Sequence, residues 1–346
     1  EEKKMAQDLT MDFISENKDE LFREIPEEIE NDNITDIEWD GYNLWLTDLK
    51  EGCYRSEKKL SDEYVENLTF RLGDRMGTAC TKAKPILEAN TDQLRISVWH
   101  ESRTGGKKSV TIRKIPMGLR FNHLALIESK YAPEPIIDLL ENCVTAHMNV
   151  VIGGMPGAGK TELLKYLTTF IPAIEKAGVY EDNAEIHYRE INPNKKCSPL
   201  FIDEKFSYSE AISAGLRHDI DWILLSEARG PEVQDLVNAL STGSNCMTTM
   251  HLDHVSNIPD RMCSMLGGKA TERFVDNAYR YIDVGVMVEC DKHEHRKLTQ
   301  LCFFTRTNGN NKCTMIYDNG EFTNEEIPEE FLMKLTKYGI EDPYAA

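Results

Sequence analysis

Residues 149–161 read Asn149-Val150-Val151-Ile152-Gly153-Gly154-Met155-Pro156-Gly157-Ala158-Gly159-Lys160-Thr161. The last eight match G-x-x-x-x-G-K-[ST], a pattern that turns backbone N–H groups inward around an anion. A short apolar run precedes them, and Leu163, Leu164 and Leu167 follow at helical spacing. Strand, loop and helix in that order give the pattern its structural context, and the positive end of the helix favours phosphate. The candidate nucleotide contacts are therefore Gly154, Pro156, Gly157, Ala158 and Gly159, followed by Lys160, Thr161 and Glu162. Lys160 would hold β- and γ-phosphate oxygens, and the Thr161 hydroxyl would serve Mg²⁺.

The chain has 346 residues, of which 40% are hydrophobic and 29% charged. That length exceeds one comfortable core and predicts two domains. No apolar stretch approaches the roughly 20 residues that span a bilayer. The acidic start (Glu1, Glu2, Asp8, Asp12) is opposite in charge to a secretory signal. Nine scattered cysteines without a C-x-x-C pair read as reduced cytosolic thiols. The net charge of −19 argues against gripping a nucleic-acid backbone through a basic patch. Cys290-x-x-His293-x-His295 lacks the second paired half of a structural zinc site and reads as a solvated turn.

Residues 9–30 carry Leu9, Phe13, Leu21 and Ile25 at helical spacing, with Pro26 ending or restarting the pattern. Ile34–Trp39 and Asn43–Thr47 alternate around Gly41-Tyr42 and predict a hairpin. A helix over 61–80 and strands at Arg95–Trp99 and Ser109–Arg113 complete a mixed α+β region. After Pro116-Met117-Gly118 the character changes. Helical segments near 123–147 lead into the phosphate loop, and apolar strands then alternate with helices. That alternation predicts a mostly parallel sheet covered on both faces. Val284–Glu289 and Leu298–Phe304 predict an antiparallel pair. The expected division is 1–118, an α+β domain with an acidic helical start, and 119–346, an α/β phosphate-loop domain.

Three further segments bear acids or a histidine at strand ends, where ligands bind in such sheets. Val179-Tyr180 leads into Glu181-Asp182, and Trp222–Leu225 leads into Ser226-Glu227-Ala228-Arg229-Gly230. Met247–Met250 leads into His251. A carboxylate at the end of the Trp222–Leu225 strand can sit beside the metal and polarise water. Taken singly, each has a plain structural reading: Asp182 as a helix cap, His251 as a satisfied polar group.

Together and in this order they resemble the secretion ATPase superfamily, whose members energise type II and type IV secretion, conjugation and pilus assembly. Tyr180–Glu185 resembles its acidic box, Leu225–Gly230 its second nucleotide motif with Arg229, and Thr248–His251 its histidine box. Ile34–Glu38 and Thr111–Lys114 resemble strings of the conjugation and tight-adherence pilus branch. Departures occur at Asp92-Gln93-Leu94-Arg95, at Ser244 and at Ser226, and the tail beyond about residue 310 has no counterpart.

The resemblance implies a RecA-like ATPase domain, ATP with Mg²⁺, and a homohexameric ring at the inner face of the membrane, docked on membrane components of a secretion apparatus. It implies that Glu181 activates or orients water, Thr161 and Glu227 support the metal, and His251 senses the γ-phosphate. Arg229 joins the catalytic set, and Arg113 closes onto the nucleotide from the N-terminal domain. A surface salt bridge is the plain alternative for Arg113. A nucleotide-dependent scaffold without hydrolysis, and a nucleic-acid translocase, are the competing functions.

Overall fold

The computed structural model describes residues 18–91, 93–291 and 295–345. The expected helical positions Leu9 and Phe13, and His293 of the histidine pair, lie outside them. Among the described residues the chain divides into two compact units, one reaching to Met117 and including His295, the other running from Gly118 to Asp291 and onward from Arg296.

The first unit opens with short helices α1 (Lys18–Leu21) and α2 (Pro26–Glu30). Its sheet contains β1 (Ile34–Trp39), β2 (Leu44–Asp48), β3 (Gly52–Arg55), β4 (Ile86–Asn90), β5 (Leu94–Trp99) and β6 (Ser109–Lys114). The order is β3-β2-β1-β6-β5-β4, with every pair antiparallel. The expected hairpin closes at Trp39↔Leu44, where Asp40 Oδ1 accepts the N–H groups of Tyr42 and Asn43. Helix α3 (Asp62–Arg75), capped by Ser61, is shorter than the sequence reading. It buries Leu68 and Leu72 in a core shared with Ile37, Leu46, Ile96 and Ile112. Alternation along the strands sends Asp36, Arg95 and Arg113 to the opposite face.

The second unit begins with α4 (His123–Glu128) and α5 (Glu134–Thr145). Then follow β7 (Val150–Gly153), α6 (Lys160–Leu167), β8 (Ala177–Glu181), α7 (Tyr188–Ile191), β9 (Cys197–Phe201) and α8 (Tyr208–Gly215). Next come β10 (Trp222–Leu225), α9 (Val233–Leu240), β11 (Asn245–Met250), α10 (Ile258–Met265) and α11 (Glu272–Tyr281). The chain finishes with β12 (Val284–Cys290), β13 (Arg296–Thr307), β14 (Asn310–Asp318), β15 (Glu321–Phe322) and α12 (Glu329–Lys337).

The sheet runs β15-β14-β13-β12-β7-β11-β10-β8-β9. From β12 to β9 all neighbours are parallel, and β13 to β15 add antiparallel strands at one edge. Both faces are buried, which explains the uninterrupted apolar runs. Val150, Ile152, Val179 and Leu224 pack with Leu140 of α5, Leu164 of α6 and Phe331 of α12. Val151, Tyr180, Ile223 and Leu225 pack on the other face with Ile212 of α8, Leu236 of α9, Ile258 of α10 and Phe274 of α11. The expected α/β class and the β12–β13 pair are both present; β3, β4, β9, β14 and β15 were not anticipated.

Candidate functional site

Four parallel strands deliver the chemistry to one edge. Gly153 of β7 pairs with Met250 of β11, Leu225 of β10 pairs with Thr248 of β11, and Tyr180 of β8 pairs with Leu225. The residues at or just beyond these strand ends, Gly154, His251, Ser226-Glu227 and Glu181-Asp182, therefore share the carboxyl side of the sheet. Because β11 lies between β7 and β10, His251 falls between the phosphate loop and Glu227.

The loop turns through Gly159, which precedes α6 with φ +91°, a conformation that favours glycine. Lys160 is 8% exposed, and its Nζ donates to Gly154 O at 3.0 Å and Met155 O at 3.1 Å. Nζ also lies 3.1 Å from His251 Nδ1. Burial pulls the Lys160 pKa down from its ordinary value, opposed by Glu227 and Glu185. Nδ1 of His251 also lies 3.2 Å from Gly154 O, so this nitrogen faces both the lysine and the carbonyl that the lysine binds. The other ring nitrogen, Nε2, sits 2.9 Å from Glu227 Oε1. Lysine, histidine and glutamate thus form one polar line across the strand edge.

Thr161 Oγ1 donates to Glu185 Oε2 at 3.4 Å. Glu185 follows Glu181, whose Oε1 accepts the N–H groups of Glu185 at 3.0 Å and Ile186 at 2.8 Å. Glu181 is 5% exposed, and burial pushes its carboxyl up to about 8, against the lowering effect of those two hydrogen bonds. A hydroxyl and a carboxylate side by side are the hard oxygen donors that Mg²⁺ selects. The structure brings Glu185 to Thr161, whereas the Glu227 carboxylate is met by His251.

Arg229 pairs with Asp182, joining the second motif to the acidic box. Glu232 Oε1 accepts the Arg229 and Gly230 N–H groups at 2.9 and 2.8 Å. Ala228 N donates to Thr249 O, and Thr249 Oγ1 donates to Ser226 O at 2.6 Å. These bonds fix the segment that carries Glu227. Behind the loop, Lys165 is fully buried on α6 and reaches Glu162 Oε1 at 3.3 Å. Glu162 therefore has one carboxylate oxygen turned to its own helix.

Arg113 belongs to the first unit, where its Nε donates to Asp36 Oδ1 at 2.7 Å and its side chain is 56% exposed. Arg95, whose role the Asp92-Gln93-Leu94 departure obscured, stands directly opposite Arg113 in the β5–β6 register. Sequence reasoning gave no individual role to two residues at the phosphate loop's surroundings, Glu185 of the acidic box and Arg296. Glu185 had a signal, since it closes a stretch with three acids in five residues, Glu181–Glu185. Arg296 had none. Its Nε donates to Gly157 O at 3.1 Å across 139 residues of chain.

Residues 86–329 match the family model described as type II/IV secretion system protein. An uncharacterized protein of Bacillus anthracis is 27% identical over 262 residues, covering 74% of this chain and 59% of that protein. A candidate conjugal transfer protein of Mycobacterium tuberculosis H37Rv is 25% identical over 280 residues, covering 77% of this chain and 79% of the relative. Among solved structures, the ATPase DotB of Yersinia pseudotuberculosis superposes with a TM-score of 0.58 at 16% identity, over 88% of this chain and 79% of that one. That likeness concerns the fold.

Proposed function

The chain belongs to the type II/IV secretion system protein family, and we propose that it is an ATP-hydrolysing motor for a membrane secretion, conjugation or pilus-assembly machine. The observation that carries this reading is the Lys160–His251–Glu227 line. A binding-only switch needs the phosphate loop. It has no use for a carboxylate held through a histidine to the lysine that would grip the γ-phosphate.

In this mechanism Lys160 leaves Gly154 O and Met155 O for phosphate oxygens. His251 loses its contact with the ammonium at the same moment, so the γ-phosphate is reported to Glu227 through one ring. Glu227 and Glu181 flank the water: Glu227 orients it, and Glu181, with a pKa pushed up to about 8, takes its proton. Mg²⁺, when bound, neutralises β- and γ-phosphate charge; Thr161 and Glu185, with Glu227, would hold it. Arg229 braces the acidic box. Arg113 arrives from the first unit on closure, and an arginine that arrives only then couples hydrolysis to domain motion.

The working assembly is a homohexameric ring. Among the described residues no helix is long and apolar enough to cross a membrane, and on this reading the ring stays cytoplasmic, reaching the inner face by docking on membrane components. Phosphate release tests the proposal. The wild type should release phosphate from MgATP, Lys160→Ala should not, and Glu227→Gln should bind ATP but turn over slowly. Wild-type release no faster than Lys160→Ala would point to a scaffold instead.

A further inference from the structure

The strands beside the phosphate loop do not stop where β7 stops. Met287 is the β12 partner of Gly153, the last residue of β7, and β12 continues through Val288, Glu289 and Cys290. β13 returns from Arg296, which pairs with Cys290. At ~3.3 Å per residue the pair overhangs the end of β7 by roughly 10 Å. The loop leans on this overhang at both ends. A Cβ at Gly154 would stand 2.4 Å from Val288 O, and one at Gly159 would stand 3.0 Å from Arg296 Cδ. Between them, Arg296 Nε donates to Gly157 O at 3.1 Å.

We propose that Arg296 is a positioning residue of the phosphate loop, holding the Gly157 carbonyl outward so that the loop's donors face the anion site before nucleotide arrives. The proposal rests on reading this loop as a nucleotide site. In a planar trans peptide the carbonyl of one residue and the N–H of the next point in opposite directions. Fixing Gly157 C=O toward β13 therefore fixes Ala158 N–H toward the concavity. There it meets Met155 O at 3.2 Å, the same oxygen that accepts Lys160 Nζ at 3.1 Å. Two donors of the kind a phosphate oxygen takes are already converged on one acceptor. Exchange of that carbonyl for a phosphate oxygen then requires little reorientation of the donors, which is how preorganisation raises affinity. The guanidinium also places fixed positive charge beside the loop of a chain with net charge −19, where a polyphosphate gains from it.

The test compares Arg296→Ala, Arg296→Lys and, as a neighbouring control, Lys297→Ala in the full chain. Two readouts are needed: affinity for MgADP with the kcat–KM split for MgATP, and hydrogen exchange of backbone amides 155–160 without nucleotide. Arg296→Ala should weaken MgADP binding by about ten-fold or more, the scale of a charged hydrogen bond. Its kcat at saturation should stay within about three-fold, since the residue acts on binding. Loop exchange should quicken in the Ala variant, and Arg296→Lys should recover part of both effects. Wild-type affinity together with wild-type exchange in Arg296→Ala overturns the proposal, as does a fall in kcat with unchanged affinity. If the wild type itself fails to bind MgADP while the variant's loop exchanges faster, the nucleotide reading fails and the loop-holding role stands.

Discussion

Glu227 Oε1 lies 2.9 Å from His251 Nε2. The other ring nitrogen faces the Lys160 ammonium, so the imidazole is a rigid spacer between the lysine of the phosphate loop and an acid two strands away. A glutamate held in this way has one oxygen committed and one available for water. Glu227→Gln keeps the size but loses the charge. Nucleotide affinity should stay within about three-fold, and kcat should fall by about 10²–10⁴-fold. Single-turnover phosphate release beside equilibrium binding of the same variant checks this; wild-type turnover in Glu227→Gln removes the assignment.

His251 should couple the two ends. If the imidazole transmits between them, His251→Ala and Glu227→Gln are not independent, and the double variant should turn over little more slowly than the worse single. Multiplicative losses in a double-mutant cycle would mean that the residues act separately.

Glu181 carries a pH signature. Its folded pKa, pushed up to about 8 by burial from an ordinary 4.5, means that the folded state prefers the protonated acid. The stability this contributes is full below pH 4.5 and is lost as pH rises through about 8. Glu181→Gln, which cannot ionise, should gain thermal stability relative to wild type across that interval and hold the gain above it. If Glu181 takes the proton from water, wild-type turnover should rise with pH through about 8, and the Gln variant should lose that limb. A parallel rise in both proteins would assign the limb elsewhere.

How much of this could be read from the chain follows from distance along it. Gly154–Thr161, Glu227 and His251 announce themselves because strand, punctuation and reactive residue are contiguous in each. β9 escaped notice because Cys197–Phe201 is short and contains Pro199, a residue that sheets tolerate at an edge, where β9 lies. The strands beyond residue 310 begin with Asn310-Asn311-Lys312, a polar start that hides their alternation. Arg296 was illegible for a stronger reason. Its role depends on how far β12 and β13 overrun β7, and no local pattern encodes that offset.

Thr161 and Glu185 make the metal step separable from the nucleotide step. Their 3.4 Å contact places a carboxylate where the hydroxyl would serve Mg²⁺. Glu185→Gln should raise the Mg²⁺ concentration for half-maximal turnover several-fold, while metal-free ADP binding stays at the wild-type level. A Mg²⁺ titration of phosphate release at fixed ATP reads this. An unchanged midpoint would leave Glu227 as the acid that serves the metal.

Arg113 distinguishes a surface ion pair from a working residue. Its bond to Asp36 joins a side chain that is 56% exposed, and such pairs contribute about 0–1 kcal/mol. Arg113→Ala should therefore melt within a few degrees of wild type. Arg95, directly across the β5–β6 ladder, puts a second guanidinium on the same sheet face. Asp36 stands opposite Arg113 on its other side, so this row of the sheet carries one carboxylate beside the two guanidinium groups. If the pair meets the nucleotide on closure, Arg113→Ala should lower kcat at least about ten-fold with little effect on MgADP affinity. Should stability and turnover both stay at wild type, Arg113 is only the partner of Asp36, and its proposed part in turnover falls.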